Sequence, residues 1–348
     1  MRWDNLTAPP VEGDPERAAP ATPPLPLALP GAVARTFDTP EFAGMTFYEV
    51  QAKSILNRVP GQSRVPFEWT INPYRGCSHA CRYCFARNTH TYLDLDAGAD
   101  FDRKVIVKVN AGELVRRELA APRWRGAHVA MGTNVDCYQR AEGRYRLMPQ
   151  IIGALRDFAN PFSILTKGTL ILRDLPVLRE AAEVTTVGIS FSVGFVDEHL
   201  WRTVEPGTPH PRRRLDAVRA LTDAGFSVGV LMAPILPGLS DSDESIEATV
   251  SAIAAAGATS VTALPLHLRP GAREWYAHWL ARAHPHLVPR YRELYRAGAY
   301  APQAYQRELT ARVRIAARRH GLHRGERGDN RSLPEPPPPS TAEQLTLL

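Results

Sequence analysis

Cysteine is scarce in this chain, lysine is equally scarce, and long apolar runs are missing. Four cysteines among 348 residues are too few for a disulfide-stapled secreted scaffold. No stretch approaches the roughly 18–20 apolar residues that cross a bilayer. The start, Met1-Arg2-Trp3-Asp4-Asn5-Leu6, places an acid early and prolines soon after, unlike a secretory signal. These absences predict a soluble, cytoplasmic protein without membrane association. Lysine stands only at Lys53, Lys104, Lys108 and Lys167, so arginine supplies nearly all the positive charge behind the formal net +6. Coding bias explains such a preference, and it gives the few lysines meaning: a compact ammonium was kept where a guanidinium was not.

What is present is ordinary globular composition, 44% hydrophobic and 22% charged, enough to bury a sizeable core. The ends differ from the middle. Residues 9–30 carry eight prolines and read as an extended leader, and Pro334 to Pro339 read as a semi-rigid spacer before the last residues. The folded body is expected over about residues 40–325. Within it, strand runs at Phe67–Asn72, His128–Thr133, Phe162–Thr166, Thr185–Val193, Phe226–Ala233 and Ser260–Leu268 alternate with helical patterns. Met148, Ile151, Ile152, Leu155 and Phe158 share one helical face. Leu215, Val218 and Leu221, stopped by Gly225, share another, as do Ile246, Val250 and Ile253, stopped by Gly257. Asp241 with Glu244 reads as an N-cap with its reciprocal carboxylate. Six β-then-α units predict an α/β fold with parallel strands, a barrel or a doubly wound sheet, and place chemistry at the carboxyl ends of the strands.

Three of the four cysteines, Cys77, Cys81 and Cys84, fall just past the first expected strand in the spacing C-x3-C-x2-C. Three soft thiolates on one loop can hold a metal centre and leave a coordination position open. The spacing by itself also admits a zinc site completed by His79, His90 or Cys137, or buried cysteines without a special role.

With Tyr83 before the third cysteine, the motif resembles that of the radical S-adenosylmethionine (SAM) superfamily. Asn72-Pro73-Tyr74-Arg75-Gly76-Cys77, Gly132-Thr133-Asn134-Val135-Asp136-Cys137-Tyr138-Gln139, Leu165-Thr166-Lys167 and Glu205-Pro206-Gly207-Thr208-Pro209 resemble, in order, the branch related to spore photoproduct lyase, in its actinobacterial form. The resemblance covers about residues 45–320. It implies an incomplete (β/α)6 TIM-like barrel over residues 41–270, after a flexible leader of residues 1–40. A helical extension over residues 271–325 and a tail over residues 326–348 would follow. It also implies a [4Fe-4S] cluster on Cys77, Cys81 and Cys84, with SAM on the fourth iron. The electron from the cluster would cleave SAM to a 5′-deoxyadenosyl radical, delivered by a donor such as flavodoxin or ferredoxin.

Residue by residue, the resemblance puts Tyr83 near the adenine, Thr133 near the methionyl group and Lys167 on the SAM carboxylate. Ser190 and Ser192, on one strand face, fall to the ribose hydroxyls. Ordinary strand serines and a snorkelling strand-end lysine are the plainer readings of the same positions. Glu205 and Arg214 form either a pair at the next loop or a surface ion pair. Photoproduct lyases use a cysteine as hydrogen-atom donor, and no cysteine follows Cys137 here. Cys137 is therefore either a replacement donor or a neutral substitution, and with its neighbour Tyr138 it makes the candidate catalytic pair.

Two features bear on partners. Arg312, Arg314, Arg318, Arg319, Arg324, Arg327 and Arg331 form a basic stretch that either neutralises phosphates or is a solvated helix. The terminus Gln344-Leu345-Thr346-Leu347-Leu348 is similar to the peptide by which bacterial DNA polymerases and repair proteins dock on the sliding clamp. Trp275, Tyr276, Trp279 and Tyr291 read as packing residues of the helical segment. The expected function is radical SAM chemistry on DNA, in repair or modification of a base. RNA, a protein or a small molecule are the alternative substrates, and a non-enzymatic iron–sulfur protein that binds nucleic acid or the clamp is the alternative class.

Overall fold

The structure is a computed structural model, and it describes residue 29, residues 31–60 and residues 65–322. Its strands are β1 (Val33–Arg35), β2 (Thr46–Val50), β3 (Leu56–Arg58), β4 (Trp69–Ile71), β5 (Tyr74–Arg75), β6 (Lys104–Lys108), β7 (Val129–Met131), β8 (Phe162–Thr166), β9 (Val187–Ser192), β10 (Val228–Ile235) and β11 (Ser260–Pro265). The helices are α1 (Ala99–Arg103), α2 (Ala111–Leu119), α3 (Arg140–Tyr145), α4 (Leu147–Asp157), α5 (Leu175–Val184), α6 (Glu198–Val204), α7 (Pro211–Asp223), α8 (Asp243–Ala255), α9 (Ala272–Ala283), α10 (Val288–Leu294) and α11 (Gln303–Arg319).

All six expected strand runs form strands, each parallel to the next, in the order β11-β10-β9-β8-β7-β4. The sheet is open, with β3 antiparallel on the outer edge of β4 and β11 at the far edge. Six parallel strands with helical crossovers make the incomplete barrel, and the helical C-terminal part is α9 to α11. Alternation explains the layers. Ile189 and Phe191 of β9 are fully buried in the main core, while Ser190 and Ser192 take the other face of the strand.

Several boundaries differ from the sequence reading. Strand β7 stops at Met131, so Thr133 lies in the loop beyond it. Gly132 sets that corner: its φ is +74°, and a Cβ there would sit 1.8 Å from the Leu165 carbonyl oxygen of β8. Phe158 is 42% exposed at the end of α4, off the face shared by Met148, Ile151, Ile152 and Leu155. The N-cap of α8 is Ser242, whose hydroxyl accepts from Ser245 N, so the Asp241 reading is corrected. Asp241 has longer-range work. Its carboxylate accepts from Gly238 N at 2.6 Å, Arg290 at 2.7 Å and the Tyr305 hydroxyl at 2.9 Å, tying α10 and α11 to the barrel.

A second sheet, in the order β1-β2-β6-β5, was not expected. Its central strand reads Lys-Val-Ile-Val-Lys, buried in the middle and half-buried at the charged ends. Because β5 immediately precedes the cysteines, this sheet fixes one root of their loop.

Candidate radical SAM site

The cysteine loop leaves β5 and is held at each turn by backbone bonds. Cys77 N donates to Phe101 O at 2.9 Å, Ala80 N to Cys77 O at 3.2 Å and Cys84 N to Cys81 O at 3.2 Å. Gln139 clamps it from the β7 side: its side-chain oxygen accepts from Ser78 N at 2.9 Å, and its amide donates to Gly76 O at 2.9 Å. The loop after α6 clamps it from another. Arg82 N donates to Val204 O at 3.0 Å and Gly207 N to His79 O at 3.1 Å. Gly207 allows this approach, since a Cβ there would lie 2.0 Å from Ser78 O. Beneath the loop, the fully buried Arg87 donates to Cys81 O at 2.9 Å and pairs with Asp102 at 2.7 Å, its guanidinium 4.7 Å from the Trp275 ring centroid.

Burial pushes the Cys77 thiol well above its ordinary value, Cys81 up to about 12, and Cys84 up as well. Thiolates in such a place need a bound cation to form, so the loop suits metal ligation better than exposed thiol reactivity. Mononuclear zinc fits poorly. A zinc ion draws four donors to within about 2.3 Å of one point, and among the described residues no group of three His, Cys, Asp or Glu side chains is placed to hold one metal ion. His90 is held against Lys104 O at 2.8 Å, and Cys137 is wholly enclosed. Cys77, Cys81 and Cys84, all free and all on this one loop, are the donors that would hold a cluster, and three thiols leave one coordination position for another ligand.

The strand-end residues come together beside this loop. Lys167, just past β8, places its Nζ 2.8 Å from Ser192 Oγ and 5.7 Å from the centroid of the Tyr83 ring. Ser192 Oγ donates onward to Ala233 O at 2.8 Å. The Tyr83 hydroxyl donates to Glu205, which is ion-paired with Arg214, and Arg214 donates to Ser192 O at 3.1 Å. Tyr83, Glu205, Arg214, Ser192 and Lys167 thus form a closed circuit joining the cysteine loop to β8 and β9. Glu205 and Arg214 are fully buried, not a surface pair. Desolvation alone would raise the Glu205 carboxyl, but Arg214, Lys167 and Tyr83 together hold it below its ordinary value. Ser190 Oγ is buried without a hydrogen-bond partner, a polar atom open to a bound group.

Asp136, which the sequence reading passed over, organises the neighbouring strand ends. It accepts from Thr166 Oγ1 at 2.6 Å, Lys167 N at 2.6 Å and Tyr138 N at 2.9 Å, and lies 3.4 Å from His79 Nδ1. Burial lowers His79 to about 4, leaving it neutral at pH 7. Both residues sit inside quoted motifs, but only the fold shows that one carboxylate fixes three backbone segments. Cys137 and Tyr138 point the other way chemically. Each is buried in the main core, and burial first, then neighbouring carboxylates, raises both well above their ordinary values. Tyr276 and Tyr291 are buried, with their hydroxyls 2.9 Å apart.

Two arginines of the basic stretch and the neighbouring His320 are paired with carboxylates. Arg312 pairs with Asp243 at 2.7 Å, and Arg319 and His320 bind Glu247 at 3.0 and 2.7 Å. Arg324, Arg327, Arg331, the leader through residue 28 and the terminal Gln344–Leu348 lie outside the described residues.

Residues 71–250, just over half the chain, match the Radical SAM superfamily. The chain belongs to that superfamily. It is accordingly an enzyme that uses a [4Fe-4S] cluster and SAM. An uncharacterized protein of Mycobacterium tuberculosis (strain H37Rv) is 51% identical over 322 residues, 91% of this chain and 92% of its own. One of Methanocaldococcus jannaschii is 26% identical over 195 residues, 56% of this chain and 69% of its own. Among solved structures, spore photoproduct lyase complexed with dinucleoside spore photoproduct shares the fold, with TM-score 0.59 and 14% identity over 79% of each chain. A cysteine-to-serine mutant of spore photoproduct lyase matches at TM-score 0.59 and 16% identity, again over 79% of each chain. No helix among the described residues is long and apolar enough to cross a membrane.

Proposed function

We propose that this radical SAM enzyme acts on DNA, in repair or modification of a base, from the cytoplasm. The closed circuit from Tyr83 through Glu205, Arg214 and Ser192 to Lys167 carries the assignment of the site. Cys77, Cys81 and Cys84 would hold the cluster. Lys167 would bind the SAM carboxylate, where an ammonium suits a single carboxylate, and Tyr83 would flank the adenine. The unpartnered Ser190 Oγ and the Ser192 hydroxyl are suited to the ribose, and Thr133 to the methionyl end. Bound there, the cluster and SAM supply a one-electron reductive cleavage, fed by an external donor such as flavodoxin or ferredoxin. The residues of this chain bind, orient and exclude water.

The shared fold with a photoproduct lyase holding a dinucleoside lesion supports DNA as the substrate. Anaerobic turnover tests it: 5′-deoxyadenosine formed with lesion-bearing DNA should exceed that with intact DNA or RNA. Yield indifferent to nucleic acid would reject DNA and leave a protein or small molecule. Cys137 is so enclosed that we expect Cys137→Ala to turn over normally. An abolished reaction with intact cluster absorbance would make it the hydrogen-atom donor. The terminal Gln344-Leu345-Thr346-Leu347-Leu348 is proposed to dock on the bacterial sliding clamp. Purified clamp should bind the full chain and release a chain lacking Leu347 and Leu348, and equal binding would reject the docking.

A further inference from the structure

An aromatic file runs outward from the cysteine loop. Phe85, immediately after Cys84, has its ring centroid 5.7 Å from that of His267, tilted by 37°. His267 stacks on Tyr300 at 5.6 Å and 23°, and Tyr300 is 56% exposed. The exposed Arg269 lays its guanidinium 5.4 Å from the Phe85 centroid. His267 follows β11, so the file stands beside the carboxyl end of the sixth barrel strand.

The file is presented on a fixed frame. His267 and Tyr300 form an antiparallel backbone bridge, and Leu268 N donates to Ala299 O at 2.8 Å. The Tyr295 hydroxyl holds Leu266 O at 2.7 Å behind them. Two inner rings therefore back an exposed outer ring, and the Arg269 cation lies against the innermost ring, Phe85. Burial, then Arg269, lowers His267, so the imidazole stays neutral at pH 7 and stacks without charge.

We propose that Phe85, His267, Tyr300 and Arg269 form a nucleobase-stacking shelf at the rim of the barrel mouth, taking an unpaired base of a DNA strand. The inference rests on the DNA reading above. A flat, exposed outer ring suits the face of a base, and the exposed Arg269 beside Phe85 suits a phosphate of the same strand. Every base offers such a face, so the shelf would hold a strand without fixing its sequence.

Fluorescence anisotropy of the reconstituted full chain tests it, with labelled oligothymidylate and an abasic strand of equal length. Tyr300→Ala should weaken thymidylate binding about tenfold, the scale of one lost stacking contact, while Tyr300→Trp retains it. Abasic binding should not change with either variant. Arg269→Gln should weaken both strands and reduce the salt slope by about one. If Tyr300→Ala binds thymidylate as the wild type does, or weakens the abasic strand equally, the shelf is overturned and the DNA reading stands. A wild type that binds neither strand overturns both. Tighter binding of oligouridylate than of thymidylate overturns the assignment to DNA.

Discussion

At the scale of single residues, the site depends on charges that have left water. Lys167 is the one lysine that bias toward arginine leaves at a barrel strand end, and its ammonium reaches Ser192 Oγ at 2.8 Å. Lys167→Ala should raise the SAM dissociation constant about thirtyfold or more, the lower end of the cost of removing one member of a hydrogen-bonded charge pair. Lys167→Arg should not restore it, because a planar fork does not replace a point charge. Calorimetry on the reconstituted protein reads both. Glu205 and Arg214 are buried together, so Glu205→Ala strands a guanidinium and should cost about 3–5 kcal/mol in urea unfolding. The lysine was legible in the sequence because it was rare. The depth of the Glu205–Arg214 pair was not, since a pair nine residues apart looks the same buried or exposed.

At the scale of elements, strands were the most legible part of the chain, because six apolar runs with turn signals between them admit few other readings. Caps were less so. Asp241 has the residue type and spacing of an N-cap, yet its carboxylate is spent on Arg290, Tyr305 and Gly238 N, and Ser242 caps α8. The small sheet escaped notice because its strands β2 and β6 pair across more than fifty residues. Nothing local marks such a partner. Within the elements, His128 at the start of β7 is held down to about 4 by burial, and its Nε2 has no hydrogen-bond partner. Below its ordinary value near 6.5, the unfolded chain takes up a proton that the folded one refuses. Stability is therefore full above that pH and falls as pH drops toward 4. His128→Leu should flatten this part of the acid limb, read as melting temperature against pH. Gly207→Ala would drive a Cβ into Ser78 O, so reconstituted protein should hold less iron per chain than the wild type.

At the scale of the whole molecule, the open edge of the sheet at β11 is covered partly by chain that the sequence presents as a basic patch. Helix α11 lies across α8 and β11, with Arg312 tied to Asp243 and Arg319 to Glu247. Arg312→Ala with Arg319→Ala should therefore change DNA affinity less than about twofold, since the carboxylates of Asp243 and Glu247 beside them offset the positive charge a phosphate would meet. The cysteine motif carried the chemistry from the sequence alone, whereas the circuit that links Tyr83 to Lys167 needed the fold to bring four segments together. The most direct test is anaerobic reconstitution followed by reduction in the presence of SAM. The wild type should show a [4Fe-4S] absorbance and paramagnetic signal that SAM perturbs, and then release 5′-deoxyadenosine. Replacing Cys77, Cys81 and Cys84 with alanine should abolish all three. A chain that assembles the cluster but neither binds nor cleaves SAM would contradict the account.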